Sequence, residues 1–101
     1  MDEILTGVVV DETGTLTLAE FAGACGTDAT WVLELVDEEV LLPVGGGSEG
    51  WRFGSRELTR ARRFQRLQRD LGANLEAAAV IIELLDEIDR LKGRLRRAGI
   101  E

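Results

Sequence analysis

Between Asn74 and Ala98 the chain carries apolar residues on two helical stripes, and only one stripe runs to the end. Leu75, Ala78, Ile82 and Leu85 form the first. Ala77, Ile81, Leu84, Ile88, Leu91, Leu95 and Ala98 form the second, a strict three-four alternation that makes a coiled-coil seam of about three heptads. A helix apolar on two stripes early and on one stripe late packs into its own domain first and then reaches toward another chain. The pattern thus predicts a helix over residues 74–98, capped by Asn74, whose seam residues Ala77, Ile81, Leu84, Ile88, Leu91 and Leu95 serve a homodimer. Gly93 lowers helix propensity there by about 1 kcal/mol relative to Ala, a loss that a partner would offset. The alternative is a helix that curls back on its own domain.

Shorter elements precede it. Residues 4–10 are rich in β-branched side chains and read as one short strand, followed by turn chemistry in Asp11-Glu12-Thr13-Gly14. Thr17 and Glu20 form a capping box, and Leu16 is placed to pack on Phe21, so a helix begins at Leu18 and stops near Cys25, before Gly26. Thr27 can cap the next helix, in which Trp31, Val32, Leu35 and Val36 recur at helical spacing. Two short helices joined across one Gly make a helix-turn-helix, with small Ala22 allowing a close crossing; two core helices with no docking role are the alternative. Val40-Leu41-Leu42-Pro43-Val44 and Trp51-Arg52-Phe53, joined by a Gly-rich tip, read as a hairpin wing in which both rings face the core and Arg52 faces solvent. Ser55 is a plausible cap for a third helix, buried along Leu58, Ala61, Phe64, Leu67 or Gln68, and Leu71, and ended by Gly72. The rest of its surface is rows of Arg: Arg56, Arg60 and Arg63 in one, Arg62, Arg66 and Arg69 in another.

Charge decides what such a motif can bind. No Lys or Arg precedes Arg52, whereas eleven acids do, and the whole chain carries a formal charge of −7. In a DNA-binding helix-turn-helix the second helix meets base edges and phosphates, and the free energy comes largely from cations placed on phosphate. Here that helix would bring Asp28, Thr30, Trp31 and Glu34, so nucleic acid is disfavoured. The alternative is a MerR-like DNA-binding regulator using its Arg-rich third helix and wing.

Enzyme function is not expected. The chain has no His, no Tyr and no G-x-S-x-G elbow, and its single Cys25 has no base to activate it and reads as a small core residue. No Cys/His cluster has metal-ligand spacing, so neither a metal nor a cofactor is expected. One Cys and 45% apolar residues suit a single domain over residues 1–101 in a reducing, cytoplasmic setting. Its parts would be strand, helix-turn-helix and wing (4–54), Arg-rich helix (55–72) and long C-terminal helix (74–98). The apolar residues 4–10 are too few and too interrupted for a signal peptide or membrane span.

The order of elements resembles a MerR-like winged helix-turn-helix: mainly α, with a small β-hairpin wing and a long C-terminal helix. Val40-Leu41-Leu42-Pro43, Trp51-Arg52-Phe53 and Leu67-Gln68-Arg69-Asp70-Leu71-Gly72, with Asn74-Leu75 leading to Leu84-Leu85-Asp86-Glu87-Ile88, resemble the CbpM chaperone-modulator family over nearly the whole chain. The resemblance implies a bacterial cytoplasmic protein that binds the J-domain of a CbpA/DnaJ-like co-chaperone and restrains its stimulation of DnaK. J-domains present a basic helix, which an acidic domain could occupy in the chaperone's place. Charge placement, not the family motif, selects the residues for that contact: Glu20, Asp28, Glu34, Asp37, Glu38 and Glu39, with Trp31 either a core residue or an exposed anchor.

Overall fold

The structure, a computed structural model, describes residues 3–5, 8–10 and 14–99. Its described elements are two short strands, β1 (Glu3–Leu5) and β2 (Val8–Val10), and four α-helices: α1 (Leu18–Ala24), α2 (Ala29–Asp37), α3 (Ser55–Leu71) and α4 (Leu75–Arg97). The expected single strand is corrected to an antiparallel pair in the register Glu3 to Val10, Ile4 to Val9 and Leu5 to Val8. Two segments of one apolar run thereby satisfy each other's backbone groups, which a lone strand cannot do. The turn expected from Asp11-Glu12-Thr13-Gly14 lies outside the described residues except for Gly14.

Local chemistry sets the helix ends. Thr17 Oγ1 accepts from the Glu20 backbone N–H at 3.2 Å while Glu20 Oε1 accepts from the Thr17 N–H at 2.9 Å, closing the capping box that starts α1. Gly26, at φ 69°, ends it, with the Thr27 N–H donating to the Ala22 carbonyl at 2.9 Å. Thr27 is consumed by that motif, so the cap of α2 moves one residue on. Asp28 fills it, its carboxylate accepting from the Trp31 N–H at 3.0 Å. Likewise Gly54, not Ser55, precedes α3, and Glu57 reaches back to the Gly54 N–H at 3.2 Å. Asn74 caps α4 through the Ala77 N–H at 2.8 Å.

The expected β-hairpin wing is corrected too. Val44 and Arg52 exchange backbone hydrogen bonds of 3.1 and 2.8 Å in one isolated bridge, and a 3-10 turn at Ser48–Gly50 occupies the tip. The pairing stops there because the next residue, Phe53, turns its N–H and C=O to Leu16, at 2.8 Å each. Phe53 thus threads the wing into the core, stacked on Phe21 at a centroid distance of 4.4 Å and met edge-on by Trp51 at 6.2 Å. Arg52 does not face open solvent: its guanidinium donates to Thr15 Oγ1 at 3.0 Å and to the Thr15 carbonyl at 3.3 Å.

The core gathers Leu16, Phe21, Ala22, Val32, Leu35, Val40, Leu41 and Phe53 with Leu58, Ala61 and Phe64 of α3 and Ala78, Ala79 and Ile82 of α4. Leu71, expected on the buried side of α3, is 63% exposed at the last position of that helix. Ala79 belongs to neither expected stripe and is buried nonetheless.

Candidate docking site

The acids that charge placement singled out do not act alike. Glu20 and Asp28 are exposed, but their carboxylates hold the first turns of α1 and α2. Trp31 lies half-buried against the core, edge-on to Phe64 at 6.1 Å. Glu38 is exposed at the end of α2, where its backbone N–H donates to the Glu34 carbonyl at 3.0 Å.

The other three acids converge. Thr30, Leu33, Glu34 and Asp37 follow one another along a single face of α2, and with Val36, Glu39 and Trp51 they line an open groove of about 610 Å³ between that helix and the base of the wing. Its charged side chains are all carboxylates. Glu39 reaches the rim through an uncommon backbone, φ 63°, in which its N–H donates to the Val36 carbonyl at 3.0 Å and the Val40 N–H to the Leu35 carbonyl at 2.9 Å. Sequence reading passed over Leu33, Val36 and Trp51 as contributors to this site. Leu33 had a signal: it falls off the apolar phase of Val32 and Leu35, and the structure leaves it 38% exposed.

The cations of α3 form no recorded ion pair with this face, although Arg56 and Arg60 border Glu39 on the side away from the groove. Arg60 donates to the Val40 carbonyl and to Asp86 Oδ1 at 2.8 Å, Arg62 to the Ala24 carbonyl at 2.9 Å, and Arg63 lies 3.5 Å from Asp89. Gln65 adds a bond of 2.7 Å to the Cys25 carbonyl. Arg62 and Gln65 thus satisfy carbonyls at the end of α1, where the helix dipole favours the charge of Arg62, and Arg60 satisfies the Val40 carbonyl in the segment that leaves α2. The recorded ion pairs among the described residues draw on Asp70, Asp86, Glu87 and Asp89, and none draws on Glu34, Asp37, Glu38 or Glu39. Those four carboxylates remain available to a cationic partner.

Two other surfaces complete the inventory. On α4 the seam stands open, with Leu84 58%, Ile88 45%, Leu91 43% and Leu95 45% exposed, Ala77 exposed and Ile81 half-buried. Cys25 is buried, and desolvation raises its thiol to a pKa of about 11 against a weaker downward pull from Arg62, so it stays a protonated thiol at neutral pH. Among the described residues no group of His, Cys, Asp and Glu could hold a metal, and no helix is long and apolar enough to cross a membrane.

Comparison with known proteins agrees with this architecture. The model of the MerR HTH family regulatory proteins matches residues 16–98, from the start of the helix-turn-helix to the end of α4. A chaperone modulatory protein CbpM of Coxiella burnetii (strain Dugway 5J108-111) is 29% identical over 94 residues, covering 93% of this chain and 89% of the relative. A CbpM of Pseudomonas entomophila (strain L48) is 33% identical over 64 residues, 63% of each chain. These relatives are named as modulators and regulators, not as enzymes. With its helix-turn-helix and long last helix inside the matched span, the chain belongs to the MerR helix-turn-helix family of regulatory proteins and is similar to the chaperone modulatory proteins CbpM.

Proposed function

We propose that the protein is a chaperone modulator that binds the J-domain of a CbpA/DnaJ-like co-chaperone through the acidic groove of α2 and so restrains that co-chaperone's stimulation of DnaK. The observation that carries this reading is the groove itself: Glu34, Asp37 and Glu39 beside Leu33, Val36 and Trp51, with no cation in the lining. An interface of this make-up suits a basic amphipathic helix, whose apolar residues would meet Leu33 and Trp51 while its cations meet the carboxylates. Complementary charge speeds encounter and makes binding salt-sensitive. DNA would meet the same carboxylates with repulsion, and three of the Arg of α3, Arg60, Arg62 and Arg63, are turned to backbone carbonyls or to acids of α4. The protein works, on this reading, in the cytoplasm and as a homodimer joined along Ala77, Ile81, Leu84, Ile88, Leu91 and Leu95.

The test is a titration against the isolated J-domain of the host's CbpA-like protein at low and moderate salt, with a random DNA duplex in parallel. Micromolar or tighter J-domain binding that weakens with salt, and weakens further when Glu34, Asp37, Glu38 and Glu39 become Ala, is the expected result. DNA binding without J-domain affinity would transfer the docking role to the Arg-rich helix and remove the proposal.

A further inference from the structure

Glu39 lines two depressions of opposite character. One is the acidic groove of α2; the other is a cleft of about 150 Å³ that includes Leu42 and Arg56. That cleft shares Arg56, Arg60 and Asp86 with a further depression of about 300 Å³, which Arg56, Thr59, Arg60 and Arg63 line from one face of α3 at spacings of three, one and three. Three cations there face one carboxylate, Asp86, which Arg60 already holds at 2.6 and 2.8 Å. Glu57, at the edge of the cleft, is spent on the Gly54 N–H at 3.2 Å. Arg63 has Asp89 at 3.5 Å, and exposed Arg56 has no recorded hydrogen bond or ion pair among the described residues. Between groove and depression stands Leu42, 64% exposed.

We propose that the partner seated in the acidic groove is gripped a second time, by a carboxylate-bearing segment that passes Glu39, covers Leu42 and enters the Arg depression of α3. This deepens the proposed function and rests on it. The charge of the lining selects the occupant. A guanidinium presents five N–H donors in a fork that matches a carboxylate, and Arg60 and Arg63 spend only part of theirs within the chain. Their contacts with the Val40 carbonyl, Asp86 and Asp89 hold both heads in place, so little ordering remains to be done when a ligand arrives. From Arg56 to Arg63 the helix rises roughly 10 Å, the length of about three extended residues. The partner therefore needs opposite charge at its two ends: cations for Glu34 and Asp37, acids for Arg56 and Arg63, and an apolar residue between them for Leu42. A surface charged in both senses also discriminates against ligands that offer only bases.

The sign of one substitution tests this in the full-length protein. Arg56→Glu places an acid at the second position of α3, where the helix dipole favours it, so the fold should be kept, and an unchanged or higher melting temperature checks that. The same change makes the chain two charges more negative. A J-domain that offered only cations would then bind as tightly as before or tighter. One gripped at the Arg depression should bind roughly fivefold more weakly at low salt, with the difference shrinking as salt rises. Leu42→Ser leaves the charge unchanged and should weaken binding roughly two- to threefold through lost apolar contact. Unchanged or tighter binding by the Arg56→Glu protein overturns the second grip, and the groove reading survives it if Glu34→Ala and Asp37→Ala still weaken binding. A parent protein that binds no J-domain overturns both. Parent binding to a random DNA duplex that Arg56→Glu abolishes would give the depression to phosphate and overturn the proposal as well.

Discussion

Replacing Glu39 with Gly should raise the stability of the protein and weaken its docking at once. Glu39 follows α2 in the left-handed region at φ 63°, held there by the bonds from its own N–H and from that of Val40 to carbonyls of the last helical turn. A side chain with a Cβ costs about 1–2 kcal/mol in that conformation. Gly removes this cost but returns about 0.4–1 kcal/mol through its freer unfolded chain. The net gain is about 1 kcal/mol, or about 4–8 °C in Tm for a domain of this size. The same change deletes one of three carboxylates in the groove, and a solvent-exposed charge contact is worth about 0.2–1 kcal/mol, a few-fold in affinity at low salt. Thermal melts followed by circular dichroism, with J-domain titration at two salt concentrations, read both effects. Glu39→Ala is the control, since it keeps the strained backbone while losing the charge: it should bind as weakly as the Gly variant and melt no higher than the parent. A Gly variant that melts at or below the parent temperature refutes the strain argument; unchanged low-salt affinity removes Glu39 from the docking surface.

Other expectations follow from the core and from α4. Phe53→Ala, at a fully buried ring stacked on Phe21 and touched by Trp51, should cost about 3–5 kcal/mol in urea unfolding. Gly93→Ala should stabilise α4 by about 1 kcal/mol, because the added Cβ would meet only the end of Arg97 at an ordinary 3.5 Å; a lower melting temperature would contradict this. Burial raises the Cys25 thiol from 9.0 to about 11, so its contribution to stability is complete below pH 9 and lost as the pH climbs toward 11. Cys25→Ala should lack that part of the alkaline decline, and the native thiol should react with aromatic disulfides far more slowly than the unfolded one.

The helix starts and stops were legible because caps are chemistry between neighbours. Thr17 with Glu20, Gly26, Gly72 and Asn74 each did what its residue type dictates within five positions of chain. Thr27 and Ser55 were displaced by one residue because Asp28 and Glu57 offered competing acceptors, a contest that spacing alone does not decide. Tertiary choices were less readable. Nothing in the Arg rows says that Arg60 and Arg62 end on the carbonyls of Val40 and Ala24, 20 and 38 residues away. The wing was read from composition, yet Phe53 prefers Leu16 as its backbone partner, which cuts the hairpin to a single bridge. At the candidate site the residue types were legible and their convergence was not. Glu34 and Asp37 share a helix face by periodicity, but Trp51 arrives from the returning side of the bridged loop and makes a charged strip into a groove.

The reach of α3 to the ends of both preceding helices has a consequence for how the molecule opens. At seven and nine residues α1 and α2 are too short to persist alone; Arg62 and Gln65 close carbonyls at the end of α1, and Arg60 holds the Val40 carbonyl just beyond α2, all from a third helix. Amide hydrogens of α1, α2 and α3 should therefore exchange with deuterium as one cooperative unit, released together when α3 detaches. The distal half of α4, exposed along its length, lies outside that unit and should exchange orders of magnitude sooner in dilute protein. Slowing of that second class alone as concentration rises would report assembly, amide by amide, without any label on the chain.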